Sequence, residues 1–393
     1  MPAEQFSSEL RASLYTFASF MTQGAATAYA GIWFAHQGLD STQIGVVNAV
    51  PIFILLVINL VVGRIADRAS DWRQVIVIGA MLSGLFSLGL IVASGFWGLL
   101  LVWTLVNVPT SAVGPVMDAA TMRMTRRNKT DYGFIRAWGT VGYTGVVIIT
   151  GLLVVWFGPD VFVPWLVGLA LLRGALALLL PRFREPKEPG SAQPAATGAT
   201  HILQVMQPWF LMPLIGWSFV FGTHIILDGF SSVLWKSQGI GEDTIGWLIA
   251  IGSISEAAMM FLYRFIAPRF KARHLILASA AVMTVRLAIM AYAPPVPFLV
   301  FMQLFHSVTF AMGFLACVNF ITNWTSETIA AEAQSFFTVL QRAMSILALL
   351  LMGWLVSLFG VHAYLGASAI SLIGGVLIWS SLKLQPKTAQ RSS

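Results

Sequence analysis

The chain has 393 residues, 57% apolar and 10% charged, at a mean hydropathy of +0.80; an ordinary soluble domain carries about 25% charged residues. This excludes a soluble globule. At roughly 20 residues per spanning helix the length holds about twelve bilayer crossings and no sizeable aqueous domain.

The lone cysteine, Cys317, cannot form an internal disulfide, and no Cys/His spacing suits a zinc site, so no metal and no other cofactor is expected. The net charge of +7 would suggest nucleic acid in a soluble chain, but here the loops that hold Lys and Arg matter more than their sum. No nucleic-acid partner is expected. The first ten residues contain Glu4, Glu9 and no basic residue, unlike the start of a cleavable signal peptide.

In chain order, apolar stretches of spanning length cover 12–36, 42–62, 74–94, 97–122, 132–157, 160–180, 208–235, 243–263, 275–293, 297–322, 333–359 and 362–382. A closed barrel would need short alternating strands, which are not seen, so the predicted fold is an all-α integral membrane protein of twelve transmembrane helices. With the N-terminus in the cytoplasm, 18 of the 23 Lys and Arg fall in cytoplasmic segments, Lys236 alone lies outside, and Arg136, Arg173, Arg286 and Arg342 lie within helices. The positive-inside rule then sets both termini in the cytoplasm of a multi-pass cell-membrane protein, read as a bacterial inner-membrane one.

Pro181 to Thr200 is polar and rich in Pro, Gly, Ala and Ser, and reads as a flexible connection. Three regions follow: a six-helix bundle over 1–182, a cytoplasmic linker over 183–206, and a second six-helix bundle over 207–393. Ile44-Gly45 recurs as Ile245-Gly246, Ala49 as Ala250, Arg68 as Arg269, and Asp118 as Asn319, all at an offset of 201 residues. Two pseudo-symmetric bundles around a central cavity are the architecture of many secondary transporters.

The segment after the second stretch, Gly63-Arg-Ile-Ala-Asp67-Arg68-Ala-Ser-Asp71-Trp-Arg73, resembles the cytoplasmic signature of the major facilitator superfamily. It reads as a gating loop in which Asp67 caps or pairs with a neighbouring helix end while the arginines hold the interface. The plain alternative is a solvated charged turn. The duplicate, Ala267-Pro268-Arg269-Phe-Lys271-Ala-Arg273, keeps the bases and lacks the acid, so the latch is expected to be asymmetric.

A charge at mid-bilayer costs at least about 2.5 kcal/mol on insertion scales, so such groups face a wet cavity and pair. Those within the predicted helices are Asp118, Arg136, Arg173, His224, Asp228, Glu256, Arg286, His306 and Arg342. Four arginines against three acids leave a surplus positive charge, which suits an anion. His224 and Asp228 are four apart and share a helix face; Asp228 is a partner for Arg342, either within a coupling network or as a structural pin. A carboxyl in an apolar cavity takes up protons readily, which marks Glu256 as the proton carrier. Arg173 either reaches the cavity or snorkels to the interface.

Tyr132-Gly-Phe-Ile-Arg136-Ala-Trp138-Gly139-Thr-Val-Gly142, with Gly114-Pro115-Val-Met-Asp118-Ala119 upstream, resembles the 3-phenylpropionate permease group among lactose-permease-like proton symporters. That resemblance implies substrate binding by Asp118 and Arg136. It also implies substrate and proton roles for Glu256, Arg286 and His306, and a pairing of Asp228 with Arg342. The family pattern has a second carboxylate one turn beyond the histidine; here that turn is Thr309-Phe310, which shifts the proton role toward Glu256 or Asp118. Trp138, Trp217 and Phe221 are candidate stacking residues, although Trp and Phe in membrane chains also serve interfaces and lipid.

The expected function is proton-coupled symport of a small organic anion such as an aromatic carboxylate, by alternating access. The expected partners are the substrate, protons and the bilayer, with a monomeric functional unit. Substrate-binding residues are Asp118, Arg136, Trp138, Arg286 and His306; proton-coupling residues are Glu256, His306, Asp228, His224 and Arg342. A proton-coupled sugar or nucleoside symporter is the alternative, with export a further transport reading. A membrane-embedded enzyme would need more than His224 and Asp228, the one compact candidate pair, and a sensor would need a signalling domain, so no catalytic residue is assigned.

Overall fold

The structure is a computed structural model and describes residues 7–130, 132–183, 207–325 and 327–384, without the side chains of Leu60, Gly63, Arg64, Asp67 and 327–332. The expected linker lies, from 184 on, outside the described residues. Among the described residues there are twelve long helices: α1 Ser8–His36, α2 Ser41–Arg68, α3 Trp72–Ser87, α4 Gly95–Asn128, α5 Tyr132–Phe157, α6 Phe162–Ala177, α7 Pro208–Ser237, α8 Glu242–Ile266, α9 Ala272–Met290, α10 Val296–Trp324, α11 Glu327–Phe359 and α12 Tyr364–Leu382. The predicted all-α membrane architecture is therefore present. The internal repeat is visible in the helix starts, since α2 at Ser41 matches α8 at Glu242, and α4 at Gly95 matches α10 at Val296, each 201 residues on.

Local chemistry sets the boundaries. Asp40 accepts from the Gln43 backbone N–H at 2.8 Å while the Gln43 side chain accepts from the Asp40 N–H at 3.1 Å, a reciprocal cap that starts α2. Asp71 starts α3 by accepting from the Arg73 N–H at 2.8 Å. The stretch Gly63–Arg68, expected as a loop, is the last part of α2. No Gly or Pro after Gly63 stops the helix there, and it ends at Ala69, just ahead of the Asp71 cap.

Contacts divide the chain into two compact units, one of Met1–Ala192 with Asp228–Ala250, the other of Gln193–Leu227 with Ile251–Ser393. In the first, α1 packs along α5 and α6, and α4 along α2 and α3. The ends of α7 and α8 belong to this unit, where the Tyr29 hydroxyl donates to the Glu242 carbonyl at 2.9 Å and Lys236 pairs with Glu242 at 2.5 Å. In the second unit, α9 packs on α10 and α12.

The two units share one device. Arg73, near the start of α3, donates to the Leu178 carbonyl at the end of α6 at 2.6 Å. Arg273, near the start of α9, donates to the Ser381 carbonyl at the end of α12 at 2.6 Å. Helix C-termini leave carbonyls without intrahelical donors and carry partial negative charge, so an arginine there both caps and pairs.

Helix approach depends on missing side chains. A Cβ on Gly142 would stand 2.5 Å from the Phe17 carbonyl of α1, whereas one on Gly145 would meet nothing within 4 Å. Small residues let backbones close in this way where lipid gives no hydrophobic drive. Gly142→Ala is expected to lower stability by about 1–3 kcal/mol through overpacking, and Gly145→Ala to raise it by about 0.5–1 kcal/mol. Thermal unfolding of the two variants side by side checks this; equal shifts would remove the close-approach explanation.

Candidate functional site

The second unit gathers four of the predicted residues. His306 on α10 has Nε2 3.6 Å from a Glu256 carboxylate oxygen on α8 and Nδ1 3.5 Å from Arg286 Nη1 on α9. A guanidinium only donates, so Nδ1 accepts and the neutral ring carries its proton on Nε2, toward Glu256. Arg286 is 3% exposed and also donates from Nη2 to Gln303 Oε1 at 2.6 Å and from Nη1 to Thr309 Oγ1 at 3.1 Å. His224 on α7 donates from Nε2 to the Thr309 carbonyl at 2.7 Å, and its ring meets His306 edge-on with centroids 5.2 Å apart.

The local reason lies in α10. Residues Ser307–Met312 form a π-turn, which widens the helix and releases backbone groups from the regular ladder. The Thr309 carbonyl is one that gains an outside partner. In the same turn Phe310 stacks on His306 at 5.6 Å and on Phe314 at 6.2 Å, and Phe221 lies 6.1 Å from Phe310. Ser255, beside Glu256, donates to the Gln303 carbonyl at 3.2 Å. An apolar cavity of about 490 Å³ opens between α8 and α10, walled by Ile251, Ile254, Met259 and Leu304 and reaching Ser255 and Ser307, the neighbours in sequence of Glu256 and His306.

The first unit holds a smaller group. Tyr132 donates to Asp118 at 2.9 Å, and the Arg136 guanidinium lies over the Phe20 ring at 4.1 Å. Asp118 and Arg136 share no ion pair among the described residues. Trp138 is not brought to them; it lies about 200° around α5 from Arg136, is 42% exposed and packs edge-on against Phe17 and Phe134. A two-residue spacing on a helix separates side chains rather than joining them.

Other predicted residues fall elsewhere. Asp228 is exposed and groups with the first unit, and Arg342, also exposed, groups with the second. The side chains of Gly63 and Asp67 lie outside the described residues, and Arg68 is exposed at the end of α2. The acid of that segment with a visible role is Asp71, which also accepts from the Phe183 N–H at 3.1 Å. Trp217 is fully buried and packs on Gly313, a helix contact rather than a stacking platform. Gln303, Thr309 and Tyr132 were missed as site residues. For the first two the available signal was polar side chains three residues either side of His306 in a largely apolar helix.

A helical membrane protein whose buried polar groups cluster within apolar helix bundles has the construction of a secondary transporter. The chain belongs to the MFS_1 like family, which matches residues 10–346. It is 27% identical over 324 residues to the probable 3-phenylpropionic acid transporter of Escherichia coli (strain K12), covering 81% of this chain and 83% of that protein. It is 22% identical to the maltose permease of Geobacillus stearothermophilus, covering 96% and 95%. Its fold matches the crystal structure of nucleoside transporter NupG with a TM-score of 0.81 at 17% identity, over 97% of this chain and 100% of that one. The protein is thus a multi-pass membrane transporter of small molecules and not an enzyme.

Thr309 joins Arg286 and His224, and its two contacts are separable. Thr309→Val removes the acceptor for a charged donor and keeps the carbonyl, so thermal unfolding should show a loss of about 1.5–3 kcal/mol. Thr309→Ser should retain most of the stability. A Val variant as stable as wild type would remove this contact from the account.

Proposed function

We propose that the protein is a proton-coupled symporter of a small organic anion, with an aromatic carboxylate as the substrate class. It works by alternating access as a monomer in a bacterial inner membrane with both termini in the cytoplasm. The observation that carries this reading is the row Arg286–His306–Glu256, in which a nearly buried guanidinium and a carboxylate flank one imidazole. Among the guanidinium's partners are two neutral acceptors, Gln303 and Thr309, that an incoming carboxylate can outbid, since charge-assisted bonds are roughly twice as strong as neutral ones. The stacked Phe310 and Phe314 and the apolar cavity beside Ser255 and Ser307 suit an aromatic ring. The similarity to a probable 3-phenylpropionic acid transporter supports the same substrate class.

Coupling in this reading runs through Glu256. His306 cannot take a second proton while its Nδ1 accepts from Arg286, so the carboxylate is the group that charges and discharges. Substrate bound at Arg286 weakens the hold on Nδ1 and alters the field at Glu256, linking the two events. Arg136 is a second anion-binding group in the first unit.

Proteoliposomes loaded with pyranine test this with 3-phenylpropionate as the probe. Wild type should accumulate it when the outside is acidic and should acidify the lumen as the substrate enters. Arg286→Lys and Arg136→Lys, folded but lacking the planar fork, should each lose at least about tenfold in uptake, equal to about 1.4 kcal/mol. Glu256→Gln should keep counterflow and lose gradient-driven accumulation; undiminished accumulation would dismiss Glu256 as the carrier. A neutral-solute reading is favoured by one observation, that Asp118 is bonded to Tyr132 and not ion-paired with Arg136. Competition by maltose or a nucleoside, and not by carboxylates, would select it.

A further inference from the structure

The first unit encloses a charge that the transport reading does not use. Arg173 on α6 is 1% exposed, and none of its three side-chain nitrogens has a hydrogen-bond partner among the described residues. It therefore does not snorkel to an interface, one of the two readings open from the sequence. Its helix packs on α1 and α3, and the next residue, Gly174, lies against Met81 and Ala80 of α3. Tyr15 of α1 is its electrostatic neighbour.

The other polar groups on these faces are hydroxyls. Ser19 stands one turn along α1 from Tyr15 and is its hydrogen-bond neighbour, and Thr121, whose hydroxyl oxygen is buried without a partner among the described residues, lies on the α4 face whose Met117 and Met124 pack in the same buried cluster as Tyr15. No ion pair to Arg173 occurs among the described residues. Among the described acids of this unit, Glu242 pairs with Lys236, Asp71 caps α3, Asp118 is bonded to Tyr132, and Glu9 is exposed and accepts from Asn128. An uncompensated buried charge is strongly penalised. The guanidinium offers five N–H donors and no acceptor, and hydroxyls can turn their protons to suit. A buried positive centre with no acceptor bonded to it among the described residues calls for an anion, not a cation or an apolar guest.

We propose that Arg173 holds a small inorganic monovalent anion inside the first unit, a bound counter-ion distinct from the transported substrate. The anion lets the helices close around a charged arginine, and its place where α6 packs on α1, beside Tyr15, makes it a structural site on the transporter's own scaffold.

Chloride is the probe, replaced by gluconate at constant ionic strength while thermal unfolding of the purified protein is followed in detergent. Wild type should show a saturable rise in Tm of several degrees with chloride, reproduced by bromide and absent with gluconate. Arg173→Met, of similar bulk and apolar, should lose the halide response while still transporting 3-phenylpropionate, and Arg173→Lys should keep a weakened one. Crystals grown in bromide should give an anomalous peak beside Arg173. No chloride dependence in wild type, a halide response that survives Arg173→Met, or bromide found only elsewhere would each overturn the proposal. If the Met variant does not fold, the wild-type titration, the Lys variant and the bromide peak decide.

Discussion

Hydrocarbon offers no hydrogen bonds, so every polar atom carried into it must bring its partners along. For the backbone the helices meet this requirement. For side chains it is met one group at a time, and Arg286 is the clearest case: Gln303 and Thr309 accept from its two terminal nitrogens, and His306 faces it through Nδ1. All three acceptors sit on α10, within two turns, so α9 and α10 are tied by a charge that neither can release to lipid. Thr309 then passes the connection on, since its carbonyl receives His224 from α7. Three helices of the second unit meet at one threonine.

Outside that cluster the bundles are held by shape. Lipid tails are as apolar as the side chains that face them, so helix association depends on close packing and on a few polar contacts. Gly142 against Phe17, and the mutual contact of Gly216 and Gly374, bring backbones together where a side chain would intrude. At the helix ends the arginine caps of the two units repeat the same bond 200 positions apart, from Arg73 and from Arg273. The duplication therefore survives in hydrogen bonding as well as in helix spacing, even where the residues around it have diverged.

Much of this was legible in the sequence because the bilayer imposes long, simple signals. All twelve helices follow from apolar length, and the α5 boundaries agree to the residue. The membership of the polar cluster was legible too, since Glu256, Arg286, His306 and His224 are conspicuous in apolar runs. What stayed hidden depends on direction around a helix and on packing partners. Trp138 is two positions from Arg136 yet faces away, and Trp217 turns into a glycine contact. Arg173 carries the same letter as Arg286, and nothing in its local sequence distinguishes an enclosed guanidinium from one with three acceptors. Gly63–Arg68 reads as a charged turn by composition, but the helix continues through these charged residues to Arg68, and the acid with a visible capping role is Asp71, which starts α3.

The widened turn in α10 has a consequence for anyone aligning this chain by counting. A π-turn takes up about one more residue than an α-turn, so the angular phase of α10 slips by roughly 100° between Ser307 and Gly313. A residue located by stepping in threes and fours from His306 is right on the near side of that slip and wrong by one position on the far side. Correspondences with relatives in 313–324, Cys317 and Asn319 among them, are sound only when made on superposed backbones.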